Sequence, residues 1–162
     1  MNGVYLAVSG RIRREVQELV WVADRTMRIW HQATSSPEDY HVDAVALNLH
    51  GFYAGVERIF EMIADRVDGA KPVNANWHQE LLHQMIAEIP SIRPAVLSPG
   101  LRDSLDRYRG FRHVVRNVYT FRLDRSQIEP LVNQLQAAMN RVEEELLAFA
   151  TFLEQVATQS EL

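Results

Sequence analysis

The chain has 162 residues, of which 47% are hydrophobic and 23% charged, a composition typical of an ordinary soluble domain and not of a disordered tail or a fibrous repeat. It contains no cysteine, which excludes disulfides, thiolate zinc sites and a cysteine nucleophile. No run approaches the ~18 apolar residues that cross a membrane, and the first residues lack the order of a secretory signal. We therefore expect one cytoplasmic domain over residues 1–162 that does not act at a membrane.

Apolar residues recur at helical spacing in the first half of the chain. They predict a first helix from about Val4 to His31. The motif Ser36-Pro37-Glu38-Asp39 predicts the start of a second helix, because it places serine at the cap, proline in the first turn and acids at the positive helix end. This helix is expected to run to about Val67 and to end at Asp68-Gly69.

Three further helices are predicted in the second half. The third opens at Asn76 and closes near Ile89-Pro90, residues 90–97 form a loop, and the fourth runs from Ser98-Pro99 to about Arg116. The last begins at Asp124-x-x-Gln127, which resembles a capping box, and continues past Pro130 to about Ala157. No stretch alternates with period two, so the predicted fold is all-α: an up-and-down bundle of four to five helices, with the last two antiparallel because their connection is short.

Two glycines lie inside the predicted second helix. Gly51 and Gly55 each cost about 1 kcal/mol relative to alanine at such a position. We expect another helix to approach closely across this face, either in the bundle core or at a dimer interface.

The histidines do not predict a metal site. His78 and His83 lie five residues apart, about 140° around a helix, whereas a zinc pair needs histidines at i and i+4. We expect no metal ion and no other cofactor.

The basic residues are unusual in type and position. Of 17 lysines and arginines only Lys71 is a lysine, and the segment 102–125 holds seven arginines against three acids, a balance of +4 in a chain of net charge −4. A local cluster of guanidinium groups favours a phosphate or nucleic-acid site. The alternative is a set of arginines paired with acids on neighbouring helices, and composition alone slightly favours it.

Projected on a helix, this segment has an apolar flank beside an arginine flank. Arg116, Arg109 and Arg102 share one side with His113, and Arg112 stands at the border with the apolar side. The projection is compatible with an exposed stripe, and also with a cleft in which arginines meet phosphate beside the hydroxyl of Tyr119.

The residues Arg112-His113-Val114-Val115-Arg116-Asn117-Val118-Tyr119 resemble the R-x4-H-x-Y signature of HepT-like toxins, which are ribonucleases of the HEPN superfamily paired with minimal nucleotidyltransferase antitoxins. The segments 46–61 and 77–82 are similar to further stretches of this family. The resemblance covers roughly Leu47 to Leu153.

Asn117 occupies the position of the family's catalytic histidine. In such a ribonuclease the histidine would transfer protons while the ribose 2′-hydroxyl attacks phosphorus, but asparagine does not titrate near neutral pH. Three interpretations remain open: a degenerate member that still binds RNA or its partner, a deliberately inactivated version, or a site in which His113 substitutes with Arg107 in the looser R-x4–6-H spacing. The first two together are favoured.

The resemblance implies a catalytic set of Arg112, Asn117 and Tyr119, with Arg109, Arg116 and His113 binding RNA phosphate. It also implies a homodimer, an RNA substrate such as tRNA or mRNA, and a nucleotidyltransferase antitoxin that transfers AMP to Tyr119. Two other hypotheses compete with the toxin. One is a non-enzymatic helical subunit that binds a nucleotidyltransferase or presents its substrate; the other is a plain helical oligomerisation protein.

Overall fold

This computed structural model describes residues 2–36, 38, 40–117 and 123–159, and for Asn117 the backbone only. The described residues form five helices and no strand, so the predicted all-α fold is confirmed. These are α1 (Asn2–Ser35), α2 (Tyr40–Ile63), α3 (Trp77–Ile86), α4 (Pro99–Asn117) and α5 (Arg125–Gln159). None of the helices in the described part of the chain is both long enough and apolar enough to cross a membrane.

The two longest helices, α1 and α5, lie against each other. The side chains of Ser9 and Arg13 near the start of α1 bond Glu154 near the end of α5, whereas Arg125 at the start of α5 donates to the carbonyl of Ala33 at 2.7 Å. The two helices are therefore antiparallel. Apolar residues of α5 are buried from Ile128 to Leu153, because their steps of three and four residues keep one face towards the core.

Helix α4 also runs antiparallel to α5, as predicted. The backbone amide of Ser98 donates to Glu145 at 2.8 Å, and further along α4 the hydroxyl of Tyr108 donates to the carbonyl of Leu131 at 2.7 Å. The hydroxyl of Ser98, just before α4, also accepts a bond from the amide of Leu101 at 3.3 Å, as the side chain of an N-cap residue does. On its other side α4 packs against α2 and α3.

Besides α1, which continues to Ser35, four residues beyond the predicted His31, three predicted helix ends differ from the structure. Helix α2 begins at Tyr40 and not at Ser36, whose hydroxyl accepts a bond from the amide of Glu38; Pro37 and Asp39 lie outside the described residues. The α-helical hydrogen-bond pattern of α2 ends at Ile63, and a π-helical turn, Ala64–Asp68, continues it to Gly69, which takes a left-handed φ of 66° that glycine tolerates without a steric penalty.

The third difference is the end of α3, which stops at Ile86, before the predicted Ile89-Pro90. Here the following loop folds back on itself: the amide of Ile89 donates to the carbonyl of Arg93 at 2.9 Å, and the amide of Arg93 donates to the carbonyl of Ile89 at 3.0 Å. The Arg93 side chain is fully buried and bonds Asp68 at the end of the π-helical turn. This tertiary contact, which the local sequence does not encode, fixes the path of the chain from α3 to α4.

The two glycines of α2 have different surroundings. A Cβ on Gly55 would lie 2.7 Å from Leu19 Cδ2 on α1, whereas a Cβ on Gly51 would meet no atom within 4 Å. The predicted close helix approach is therefore confirmed at Gly55, in the bundle core. Gly51 is exposed.

Candidate functional site

A polar cleft lies where α3 meets α4. It has a volume of about 340 Å³. Its lining is formed by His78, Arg109, Arg112, His113 and Arg116. Helix α4 contributes four of these side chains because positions 109, 112, 113 and 116 are three or four residues apart and so share one side of the helix.

The centre of the site is a buried carboxylate. Glu57 on α2 is 3% exposed and accepts hydrogen bonds from two residues of the cleft. Arg112 donates from Nη1 to Glu57 Oε1, and His78 Nδ1 lies 2.7 Å from Glu57 Oε2. Burial of an unpaired carboxylate would cost several kcal/mol, so this charge depends on its two partners.

The two partners of Glu57, Arg112 and His78, also lie close to each other; these three residues form the cluster at the centre of the cleft. Arg112 Nη1 lies 3.4 Å from His78 Nδ1, and the side chains of Arg112 and His78 are 19% and 28% exposed. Trp77 stacks on the His78 ring, with centroids 3.6 Å apart and an interplanar angle of 29°. Three helices thus meet at one carboxylate.

The arginine stripe is partly an ion-pair surface. Arg109 Nε donates to Asp106 at 2.7 Å, and Arg102 lies 3.3 Å from Asp103. These pairs use acids of α4 itself, not of neighbouring helices. Arg116 is exposed, and within the described residues it forms no ion pair. Pairing with an acid on a neighbouring helix is found for Arg112, whose partner Glu57 lies on α2. A phosphate site at these arginines stays a prediction.

His50 on α2 lies close enough to Arg112 and Arg116 for their charges to affect its pKa. Its pKa lies below the ordinary histidine value because the ring is half-buried and because the charges of Arg112 and Arg116 disfavour protonation. Protonation of this histidine, which would add a positive charge behind the cleft, is therefore disfavoured.

The structure brings together four of the residues predicted for this site. Arg109, Arg112, His113 and Arg116 line the cleft. Asn117 lies in the last position of α4, but its side chain and all of Tyr119 lie outside the described residues. The predicted proximity of Tyr119 to the arginines therefore stays a prediction.

Two members of the cluster could not be assigned to it from local motifs. Both lie in segments that resemble the family, 77–82 and 46–61, but the sequence presents His78 as a poor zinc ligand and gives Glu57 no evident role. One weak signal exists: His50 and Glu57 are seven residues apart on α2, and this spacing places both polar groups within about 20° of one line on the helix. A carboxylate at such a position on a largely apolar helix indicates a buried partner.

The arrangement is suited to an anionic ligand. Arginines offer planar forks of N–H donors that match phosphate oxygens, and charge-assisted hydrogen bonds of this kind are short and strong. Histidines beside them can transfer protons near neutral pH. The cleft can therefore both bind a phosphate and support acid–base chemistry on it.

A family model described as HepT-like protein matches residues 44–153, which include α3, α4, most of α2 and most of α5. The match contains every residue that lines the cleft and also Glu57. No curated protein and no solved structure shows significant similarity to the chain.

Proposed function

Because the chain belongs to the HepT-like protein family of the HEPN superfamily, we propose that it is the toxin of a HEPN/MNT toxin–antitoxin pair, built on a metal-independent ribonuclease fold and acting on RNA in the cytoplasm. The observation that carries the proposal is the cleft, where three arginines and two histidines converge. Such a surface on a chain of net charge −4 concentrates the attraction for phosphate at one place.

Each residue has a distinct part in this function. Arg112, oriented by Glu57, holds the scissile phosphate and the charge that develops on it. Arg109, Arg116 and His113 bind neighbouring phosphates. Asn117 stands where the family has its catalytic histidine, and it positions the substrate without relaying a proton, so cleavage by the chain is attenuated.

An RNA cleavage assay tests the catalytic part of this proposal. General acid–base help is worth ~10²–10⁴-fold in rate, so Asn117→His should raise cleavage by a factor of this order. In that background Arg112→Ala should lower it by ~10²–10³, the usual cost of losing one donor to the developing charge. A protein that remains inactive after Asn117→His would contradict the ribonuclease assignment.

The Arg112 experiment needs controls, because this side chain also neutralises a buried carboxylate. Arg112→Lys keeps the charge near Glu57 but loses the fork, and it should lower cleavage while keeping most of the folding stability. Arg28→Ala on α1, where the arginine side chain is 64% exposed and does not line the cleft, should leave cleavage unchanged. Unfolding midpoints of all variants separate loss of chemistry from loss of fold.

We extend the proposal to regulation by AMP transfer onto Tyr119. A tethered AMP would place a phosphodiester near the arginines at high effective concentration and compete with RNA phosphate. Co-expression with a minimal nucleotidyltransferase of the HEPN/MNT type should add one or more AMP units to the intact mass, and Tyr119→Phe should take none. Label on another residue of that variant, or none on the parent chain, would contradict this part.

The proposed working form is a two-fold dimer in which both α4 helices line one cleft. On a straight helix the side chains at 112 and 117 point about 140° apart, so a second copy is needed to complete a site between them. Sedimentation equilibrium at micromolar concentration should give twice the 18.7 kDa chain mass. A monomer would contradict this assembly.

A non-enzymatic binding subunit of a nucleotidyltransferase is the second candidate. The observation that favours it is Asn117, which cannot act as an acid or base near neutral pH. It predicts that the parent and Asn117→His proteins both bind the nucleotidyltransferase and that neither cleaves RNA. The cleavage assay therefore decides between the two functions.

A further inference from the structure

The cleft contains a histidine whose surroundings are those of a catalytic base, although it lies outside the R-x4-H motif. We propose that His78, oriented by the buried carboxylate of Glu57, transfers the proton from the ribose 2′-hydroxyl in this protein. The inference rests on the proposed ribonuclease function and names the group that performs its acid–base step.

The distances indicate which ring nitrogen is available. His78 Nδ1 is 2.7 Å from Glu57 Oε2 and 3.4 Å from Arg112 Nη1. The shorter contact is a good hydrogen bond and the longer one is marginal. An ionised carboxylate only accepts hydrogen bonds, so Nδ1 carries the ring proton and donates a hydrogen bond to Glu57. Nε2 then holds the lone pair that a base requires.

The carboxylate that orients His78 is also the one that orients Arg112. Its two oxygens are divided between them, Oε2 to the histidine and Oε1 to the arginine. Since the Glu57 side chain is only 4% exposed, water competes little for either bond. The Glu57 carboxylate thus fixes the positions of both Arg112, which binds phosphate, and His78, which acts as the base, as preorganised catalysis requires.

The ring is restrained further, and it faces the substrate surface. Trp77 stacks on it at 3.6 Å, while the side chain is 28% exposed and lines the cavity. The charged and titratable groups around this end of α3 include His50, Tyr53 and Glu57 on α2, Lys71 over the Trp77 ring, and Asp106, Arg109, Arg112, His113 and Arg116 on α4.

The reaction balances without an external reagent. His78 Nε2 takes the 2′-hydroxyl proton as the 2′-oxygen bonds to phosphorus. The bond from phosphorus to the 5′-oxygen breaks, and its electron pair goes to that oxygen, which takes a proton from water. The imidazolium returns its proton to the hydroxide so formed. The products are a 2′,3′-cyclic phosphate and a 5′-hydroxyl, and Glu57 stabilises the imidazolium while it exists.

The test compares parent protein, His78→Asn and His83→Asn on one RNA substrate. Asparagine at 78 keeps an N–H donor towards Glu57 but cannot relay a proton, so the fold is spared. His83 lies on the same helix and is exposed, outside the cleft, and is the matched control. We expect weak cleavage by the parent, a ~10²-fold or greater loss in His78→Asn, and no change in His83→Asn.

Two further measurements distinguish a base from a structural residue. RNA affinity, measured by fluorescence anisotropy at fixed salt, should be equal in parent and His78→Asn. The parent rate should vary with pH, and this dependence should be absent from the residual rate of His78→Asn. If that variant unfolds at assay temperature, His78→Gln and the pH profile of the parent carry the test.

The outcomes separate this inference from the function on which it rests. Parent protein that does not cleave, or that cleaves as well after His78→Asn, overturns the role of His78. If the Asn117→His protein cleaves RNA while either of these two results is obtained, the ribonuclease function stands and only the role of His78 is wrong. If neither parent nor Asn117→His cleaves RNA, the function itself is wrong, and the role of His78 falls with it.

Discussion

The buried ion pair between Asp68 and Arg93 offers the most direct test of how this fold is held together. Both side chains are fully buried. Asp68 accepts two bonds from Arg93, at 2.5 and 2.8 Å, and a third from Gln84 at 2.7 Å. We consider the substitution Asp68→Asn, which keeps the shape of the side chain but removes its charge.

The cost follows from what remains in place. Arg93 would keep its bonds to three backbone carbonyls, of Ala87, Pro94 and Gln84, but its positive charge would be buried without a counter-ion. Breaking one side of a buried pair in this way costs about 3–5 kcal/mol. For a chain of this length each kcal/mol lowers the melting temperature by about 2–4 °C, so the expected decrease is roughly 6–20 °C.

Urea unfolding followed by circular dichroism measures the loss, and an exposed pair supplies the control. Lys71 Nζ also lies 2.5 Å from Glu61 Oε2, but the two side chains are 40% and 29% exposed. Glu61→Gln should therefore lower the free energy of unfolding by no more than about 1 kcal/mol. The reasoning would be refuted if Asp68→Asn lost no more stability than Glu61→Gln, because burial would then not decide the value of an ion pair here.

Other predictions concern the packing of α1. Gly51→Ala should stabilise the protein by up to about 1 kcal/mol, since its Cβ meets open space. In the same unfolding assay Gly55→Ala should destabilise it by about 1–2 kcal/mol, because Leu19 on α1 must move away. Equal effects of the two substitutions would contradict the packing of α2 on α1. Hydrogen bonds from Arg13 and Ser9 lower the pKa of Glu154 to about 2. Its stabilising effect is therefore complete above the unfolded value near 4.5 and is lost as pH falls towards 2. Glu154→Gln should cost at most about 1 kcal/mol at pH 7, because the carboxylate is 37% exposed, and the difference from the parent should vanish near pH 2; a difference that persists at pH 2 would exclude a charge effect.

The sequence determined the helices because helix formation depends on spacing along the chain. Apolar steps of three and four residues, together with the capping motifs and prolines, located all five helices. The short connection after α4 was enough to predict that α4 and α5 are antiparallel. The arginines of α4 were found for the same reason, since residues three or four apart on one helix share a side whatever that helix packs against.

Helix ends were predicted less well, because distant contacts compete with local signals there. The sequence around Gly69 and Pro90 predicts where helices must stop but not the π-helical turn before Gly69 or the early end of α3. Both features place Asp68 and the 87–94 loop so that the buried Arg93 pair can form, and its partners are 25 residues apart in the chain.

In the candidate site, too, some residues could be identified from the sequence and others only from the tertiary structure. The local motif identified Arg112 and its neighbours on α4, and family resemblance supplied the roles of Asn117 and Tyr119. Only the tertiary structure showed that Glu57 and His78, respectively 55 and 34 residues before Arg112, meet it at one buried carboxylate. No periodicity along a single helix encodes that meeting, because it depends on how α2, α3 and α4 pack, and packing joins residues by burial and charge, not by their spacing in the chain.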